Sequence, residues 1–317
     1  MSNLKSVLDA GHYAVTLEIS PPVGPNREAI QRQIDFLAGY GDAFNVTDNQ
    51  SARVHTSSFA TSVMVKQAGL DPILQMTSRD RNRLAMQSDL LGASLFGIEN
   101  VLALSGDATV WGDHPQAKGV FEIDSVNMVR MMRMMRDDGV LENGKPIPKI
   151  TPTYFVGAAA NPFAPPHDFR PIRLAKKIAA GADFIQTQLI YNLPRFREFM
   201  KRVVDMGLHE KTAILAGIGP IRSARAAEFM RDEIAGMDVP DDVVNRLKGL
   251  DKERAAEEGV NLCVEIGEEV GQIEGVRGVH VMAVSWHSVL PDVVKRLGLY
   301  PRPEVAATAG DPAGSTS

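Results

Sequence analysis

The chain has 317 residues, 44% of them hydrophobic and 23% charged, which is enough apolar surface for one large buried core. A net charge of −5 argues against nucleic acid or an anionic membrane as the main partner, because both reward a basic surface. The single cysteine, Cys263, excludes an internal disulfide and thiolate metal clusters, so the expected setting is a reducing cytoplasm.

Short apolar runs alternate with stretches of helical spacing along the chain. Tyr13–Ser20 (YAVTLEIS) comes first, and Pro25-Asn26 opens a helix whose expected stripe is Ile30, Ile34, Phe36 and Leu37. Ala43–Thr47 and Pro72–Thr77 are the second and third runs. Ser78-Arg79-Asp80 then reads as the cap of a helix striped by Leu84, Leu90, Leu91 and Leu95. After the fourth run, Asn100–Ser105, the segment MVRMMRMMRDD sets Arg130, Arg133 and Arg136 on one helical face, with methionines as adaptable packing. Thr151–Gly157 is the fifth run, followed by a stripe of Ile172, Leu174, Ile178 and Ala179. Ala182–Gln188 is the sixth, and Asn192-Leu193-Pro194 starts the next helix. Thr212–Ile218 is the seventh, a long segment at 223–275 predicts two or three helices, and Gly278–Ser285 is the eighth. No run approaches the roughly 20 apolar residues that span a bilayer, and the first residues lack the apolar stretch of a secretion signal. Residues 303–317 are small, polar and aperiodic, and read as a disordered tail.

Strand–helix alternation implies parallel strands with right-handed crossovers, and eight units is the number that closes a filled barrel. A single (β/α)8 barrel over residues 1–302 is therefore the expected fold, with an open doubly wound sheet as its rival. In such a barrel the site lies at the C-terminal ends of the strands. That rule selects Glu18, Thr47, Asp48, Gln75, Ser105-Gly106-Asp107, Gly157 to Asn161, Gln186, Gln188 and Gly217 to Pro220.

Glu18 interrupts an apolar run. It is either a solvated carboxylate or an acid whose pKa desolvation raises until it can donate a proton near neutrality. Asp107 is a turn aspartate, or an anion placed beside a cationic intermediate or a heterocycle; Gly106 allows the tight approach. Gln186 and Gln188 alternate and so share a strand face, where two inward amides need partners from a structural network or from a bound heterocycle. The seven histidines show no HxH or HExxH spacing, so no metal site is expected. Gly217-Ile218-Gly219-Pro220 is too short for a dinucleotide fingerprint, and no GxGxxG follows the first run.

Glu18 in LEISPP, then NVTDNQ, LQMT, LALSGD, VFEIDS, NPFAPP, AAGADFIQTQ and ILAGIGPI resemble, in order and spacing, the methylenetetrahydrofolate reductase family. The likeness implies a barrel with non-covalent FAD at its mouth, reduced by NADH or NADPH, passing hydride from flavin N5 to a folate. It implies Glu18 as general acid, Asp107 as stabiliser of the folate cation, and Gln188 with Gln186 on the folate. It implies FAD contacts from Thr47, Gln75, Ser105, Gly106, Asp107, Phe121, Glu122, Asn161, Ala164, Arg173 and Lys177. The last two, at i, i+4, are otherwise a solvated basic face.

The chain departs from the better-known members at Ser105, where they carry arginine, and at Gln75 and Asn161, where they carry histidine. Trp286 stands for an arginine near the end of the eighth strand, and would hold folate by stacking. Three electron donors stay open: NADH, NADPH or a partner subunit. A homo-oligomer is expected. The competing classes are a flavin-free pterin-binding barrel such as a methyltransferase or an aldolase, and a non-catalytic scaffold. No lysine in a strand interior disfavours a Schiff-base aldolase.

Overall fold

Parallel strands hydrogen-bond in sequence order and the eighth returns to the first, closing a barrel. This computed structural model describes residues 2–283 and 286–305. The strands are β1 Ala14–Ile19, β2 Ala43–Val46, β3 Pro72–Thr77, β4 Asn100–Leu104, β5 Phe155–Ala160, β6 Phe184–Leu189, β7 Ala213–Ile218 and β8 Val276–Val281. The helix α1, Asn3–Asp9, precedes β1; α2 Arg27–Leu37, α3 Ser58–Gln67, α4 Arg83–Leu95, α5 Ser125–Arg133, α6 Phe169–Ala180 and α7 Leu193–Asp205 follow successive strands. Between β7 and β8 lie α8 Ala224–Glu233, α9 Asp241–Leu247 and α10 Lys252–Gly271, and α11 Leu290–Arg296 follows β8. The closed barrel and the three helices of the long segment agree with the sequence expectation.

Alternate residues along each strand face opposite ways, so the barrel has an outer and an inner core. Outward Val15, Leu17 and Ile19 join helix residues such as Ile30, Ile34 and Leu37 in the outer core. Inward Ala14, Ala43, Ile73, Leu102, Phe155, Phe184 and Leu215 form a separate cluster with Leu4, Val7 and Leu8 of α1. That helix plugs the N-terminal end of the barrel, leaving access from the C-terminal end.

Several local expectations change. The fifth strand starts later and runs further than Thr151–Gly157. Pro152 has no N–H for a ladder, and pairing begins with Phe155 against Asn100. It continues through small residues: a Cβ on Gly157 would lie 2.2 Å from the Phe184 ring. The eighth strand begins two residues earlier, at Val276 opposite Ile214; its expected residues 284 and 285 lie outside the described residues, as does most of the expected tail, 306–317. In α4 the inward face is Met86, Leu90 and Ala93, while Leu84 and Leu95 are 76% and 82% exposed. Leu91 is also exposed there, as are Phe36 in α2 and Ile172 and Ala179 in α6. Asn26 and Asn192 cap their helices as expected. The cap of α4 is Asn82 rather than Ser78-Arg79-Asp80, because Arg79 and Asp80 are spent on each other in the preceding loop.

The barrel is tied at its base by Arg302. Its Nε and Nη2 donate to the two oxygens of Asp42 at 3.0 and 2.7 Å, and Nη2 also reaches the Tyr13 carbonyl. Asp42 accepts from the Val15 N–H as well. The pair is nearly dry, and removing one partner strands the other charge. Arg302→Ala is expected to cost about 3 kcal/mol in chemical denaturation; a loss below about 1 kcal/mol would contradict this role for the clamp.

Candidate active site

A cavity of about 470 Å³ opens at the C-terminal ends of the strands. Its floor is a buried polar layer contributed by successive inward positions, with Thr16 paired in register with His280. Gln186 Nε2 donates to Thr16 Oγ1 at 3.1 Å, and Thr16 Oγ1 lies 3.0 Å from His280 Nδ1. Asn45 Nδ2 lies 3.3 Å from the same nitrogen, and Gln75 Nε2 donates to Asn45 Oδ1 at 3.3 Å. The Thr16 hydroxyl and the Asn45 amide both meet the ring at Nδ1, an arrangement that suits a neutral ring accepting there. Burial pushes the His280 pKa down to about 4, so the ring is neutral. One acceptor in this layer, Gln186 Oε1, has no partner among the described residues.

Glu18 stands one inward step above Thr16 and is 4% exposed. Burial raises its carboxyl pKa to about 7, against the opposing effect of a hydrogen bond from the Ser20 hydroxyl at 3.4 Å. Gln188 lines the same cavity at the irregularity in the β6–β7 pairing, with Oε1 accepting from the Leu189 N–H at 2.9 Å. On the opposite wall the β4 loop turns through Gly106 at φ +86, where a Cβ would sit 3.0 Å from Arg79 Cβ. Asp107 follows, exposed at the mouth.

Charged side chains fix these loops. The Asp48 carboxylate takes two hydrogen bonds from Arg81, at 2.6 and 3.2 Å, and others from the Thr77 N–H and the Ser58 hydroxyl. Arg79, 2% exposed, binds both oxygens of Asp80 and the carbonyls of Asn49 and Asp107. The tips of β2, β3 and β4 are thereby joined. On the far side Lys177 points inward from α6, with Nζ 2.5 Å from the Ala159 carbonyl. Burial first, then the Arg173 charge, lower its pKa to about 8. Arg173 lies 3.7 Å from Asp124, and Arg170 donates to the carbonyls of Ala164 and Pro165.

A profile of the family described as Methylenetetrahydrofolate reductase matches residues 3–298 of this chain. The chain belongs to that family. The 5,10-methylenetetrahydrofolate reductase of Salmonella typhimurium is 22% identical over 297 residues, covering 92% of this chain and 93% of its own length. Methylenetetrahydrofolate reductase 2 of Schizosaccharomyces pombe is 28% identical over 247 residues, 71% of this chain, and a probable NADPH-type reductase of Caenorhabditis elegans is 23% identical over 255 residues, 78% of this chain. The chain spans about a third of the length of each of these two eukaryotic relatives, 35% in both cases. Among solved structures, an uncharacterised protein from Clostridium thermocellum that binds two copies of 5-methyl-5,6,7,8-tetrahydrofolic acid superposes with a TM-score of 0.66 at 18% identity. That likeness covers 93% of this chain and 97% of the other, and shows the shared fold.

Of the residues singled out in this reductase-family sequence, Glu18, Thr47, Gln75, Ser105, Gly106, Asp107, Asn161, Arg173, Lys177, Gln186 and Gln188 all line the cavity. Phe121, Glu122, Ala164 and Trp286 are not among its lining residues. Glu122 is drawn to the start of α4, where it accepts from the Arg83 N–H at 2.8 Å and pairs with the Arg83 side chain. Phe121 is half exposed and donates its N–H to Ser78. Ala164 donates to the Asn161 amide oxygen, and the Trp286 ring is covered by the Arg222 guanidinium at 5.1 Å. The sequence reading missed His280, Thr16, Asn45, Arg79, Arg81 and Arg170. A usable signal existed for His280: like Glu18, it is a polar residue at an inward position of an apolar run, VHVMAV.

The Glu18 environment makes stability depend on pH. A carboxyl whose folded pKa lies above its ordinary value favours folding fully below the ordinary value near 4.5, and that contribution is lost as pH rises through about 7. Glu18→Gln is neutral throughout. At about 1.4 kcal/mol per pH unit, the variant should gain up to about 3 kcal/mol relative to wild type between pH 4.5 and 8. Denaturation curves that stay parallel across that range would contradict the buried acid.

Proposed function

We propose that this chain reduces the methylene carbon of 5,10-methylenetetrahydrofolate to a methyl group, or runs the reverse oxidation, with Glu18 as general acid and FAD as cofactor. The observation that carries the reading is a carboxyl group, 4% exposed and with its pKa raised by burial to about 7, lining a cavity walled by amides. Such an acid protonates a ring nitrogen of the folate, opens its five-membered ring and leaves an iminium carbon ready for hydride. The Asp107 carboxylate, exposed at the mouth, stabilises that cation. Gln188 and Gln186 hold the pterin, whose N–H groups suit the unpartnered Gln186 Oε1. Trp286, covered by Arg222, drops out of the folate site in this reading.

A flavin would be held at the polar end of the cavity by the hydrogen-bonding groups of Thr47, Gln75 and the Ser105-Gly106 turn, and its phosphates at the basic end by Arg173 and Lys177. When bound, FAD would supply the hydride, with NADH, NADPH or an electron-donating partner subunit as its source. Asn161 contributes indirectly, since its amide ties the loop after β5 to the Gly236 carbonyl. A homo-oligomer in the cytoplasm completes the proposal; no helix among the described residues is long and apolar enough to cross a membrane.

One observation favours a second reading, a flavin-free enzyme acting on a pterin in the same cavity. Lys177 and Arg170 already spend their charges on backbone carbonyls, and an anionic cofactor must compete for them. Titration of the purified protein with FAD, followed at the flavin absorbance band, separates the two. Saturable binding with bleaching on addition of a reductant supports the flavin reading, and no binding overturns it while leaving the folate site in place. In either case Glu18→Gln should lower turnover of methylenetetrahydrofolate by about 10²–10⁴-fold with cofactor content unchanged; normal turnover would remove Glu18 from the mechanism.

A further inference from the structure

Among the described residues, the side chain that hydrogen-bonds Glu18 is Ser20, whose hydroxyl lies 3.4 Å from Oε1. On its other side the same hydroxyl lies 3.2 Å from Nε2 of His287. His287 sits on the short 3-10 turn between β8 and α11 and is half-buried, so a continuous file of polar atoms runs from the cavity floor toward the protein surface. The middle member is held rigidly. The Gln33 amide of α2 accepts from the Ser20 N–H and donates to the Ser20 carbonyl, both at 3.0 Å, and Pro21-Pro22 restrict the backbone that follows. A hydroxyl donates and accepts at once, which is what a link between an acid and an imidazole requires.

Glu18 lies beneath whatever fills the cavity, and each turnover in the folate reading above removes its proton. We propose that His287 and Ser20 return that proton from the solvent side, reaching Glu18 from behind the bound substrate. The inference rests on Glu18 acting as the acid. In the step, Ser20 gives its hydroxyl proton to Glu18 Oε1 and takes the Nε2 proton of His287, while His287 takes a proton on Nδ1 from a solvent hydronium ion or a buffer acid, which leaves as water or the buffer base. One proton enters at the imidazole, one arrives at the carboxylate, and no electrons move. Exchange of the ring protons with water resets the file. Burial lowers the His287 pKa below its ordinary value, which favours release of the proton over its retention. Neither residue lines the cavity, so both are positioning residues that act through Glu18.

Steady-state turnover of methylenetetrahydrofolate by the full chain, compared across four variants, tests the relay. Ser20→Ala breaks the file. His287→Gln keeps an N–H for Ser20 yet cannot take a proton on one atom while releasing it from another. Both are expected to lower kcat about tenfold with KM for the folate unchanged, a smaller loss than removal of the acid itself. Added imidazole should restore part of the rate of His287→Ala. Wild-type kcat in Ser20→Ala and His287→Gln, alongside an inactive Glu18→Gln, overturns the relay and leaves the acid standing. Wild-type kcat in Glu18→Gln overturns the acid and the relay together. A readout independent of turnover is the infrared titration of the Glu18 carboxyl in the purified protein. The Ser20 hydrogen bond favours the ionised form, so Ser20→Ala should move the midpoint upward; an unmoved midpoint overturns the contact on which the proposal stands.

Discussion

Keeping a carboxyl group dry is costly, and that cost shapes the top of this barrel. An ionised carboxylate at the Glu18 position, 4% exposed, has one weak side-chain hydrogen bond among the described residues to offset its burial. The protein answers by shifting the group toward its neutral form, which is the form that can give a proton away. Beneath it, Thr16, Asn45, Gln186 and His280 satisfy one another almost completely. The exception, the Gln186 amide oxygen at the floor of the cavity, is an unmet acceptor among the described residues. A closed set of strands makes both features possible, because inward side chains of neighbouring strands meet each other rather than solvent.

The surrounding scaffold is rigid where the chemistry needs it. Asp48 with Arg81, and Arg79 with Asp80, fasten the ends of three neighbouring strands to one another. Isolated surface ion pairs contribute little to stability, but here Arg79 and the Asp48 side chain are each 2% exposed and satisfied by several partners. Their effect is to hold the loop carrying Asp107 against the loop after β3. At the opposite end the short helix α1 fills the barrel with Leu4, Val7 and Leu8, and Arg302 closes the gap between β1 and β2. One end is sealed and the other is kept open and polar.

Much of this was legible in the sequence, for identifiable reasons. Strands buried on both faces write themselves as apolar runs, and eight of them alternating with helical spacing leave few folds. Glu18, Gln186 and Gln188 stood out because each breaks such a run. His280 breaks one equally but hides among valines, and a search for metal-type histidine spacing passes over it. The faces of α4 and α6 were misread because leucine and isoleucine also serve as surface residues there, while Met86, Ala93 and the buried stem of Lys177 do the inward packing. Arg79 and Asp80 looked like a helix start because loop-bracing charges and capping residues share a composition. Phe121, Glu122 and Trp286 were assigned by family likeness alone, and long loops diverge in path faster than strands do.

The central claim is that one heterocycle sits on Glu18 and is read by the amides beside it. A crystal structure of the chain with 5-methyltetrahydrofolate tests this most directly. The account predicts that the folate amine nitrogen freed when the five-membered ring opens lies within about 2.6–3.2 Å of the Glu18 carboxyl, with the Gln186 or Gln188 amide on the pterin edge. A folate bound away from the strand ends, or a Glu18 side chain turned out of its contact with the ring, would contradict it.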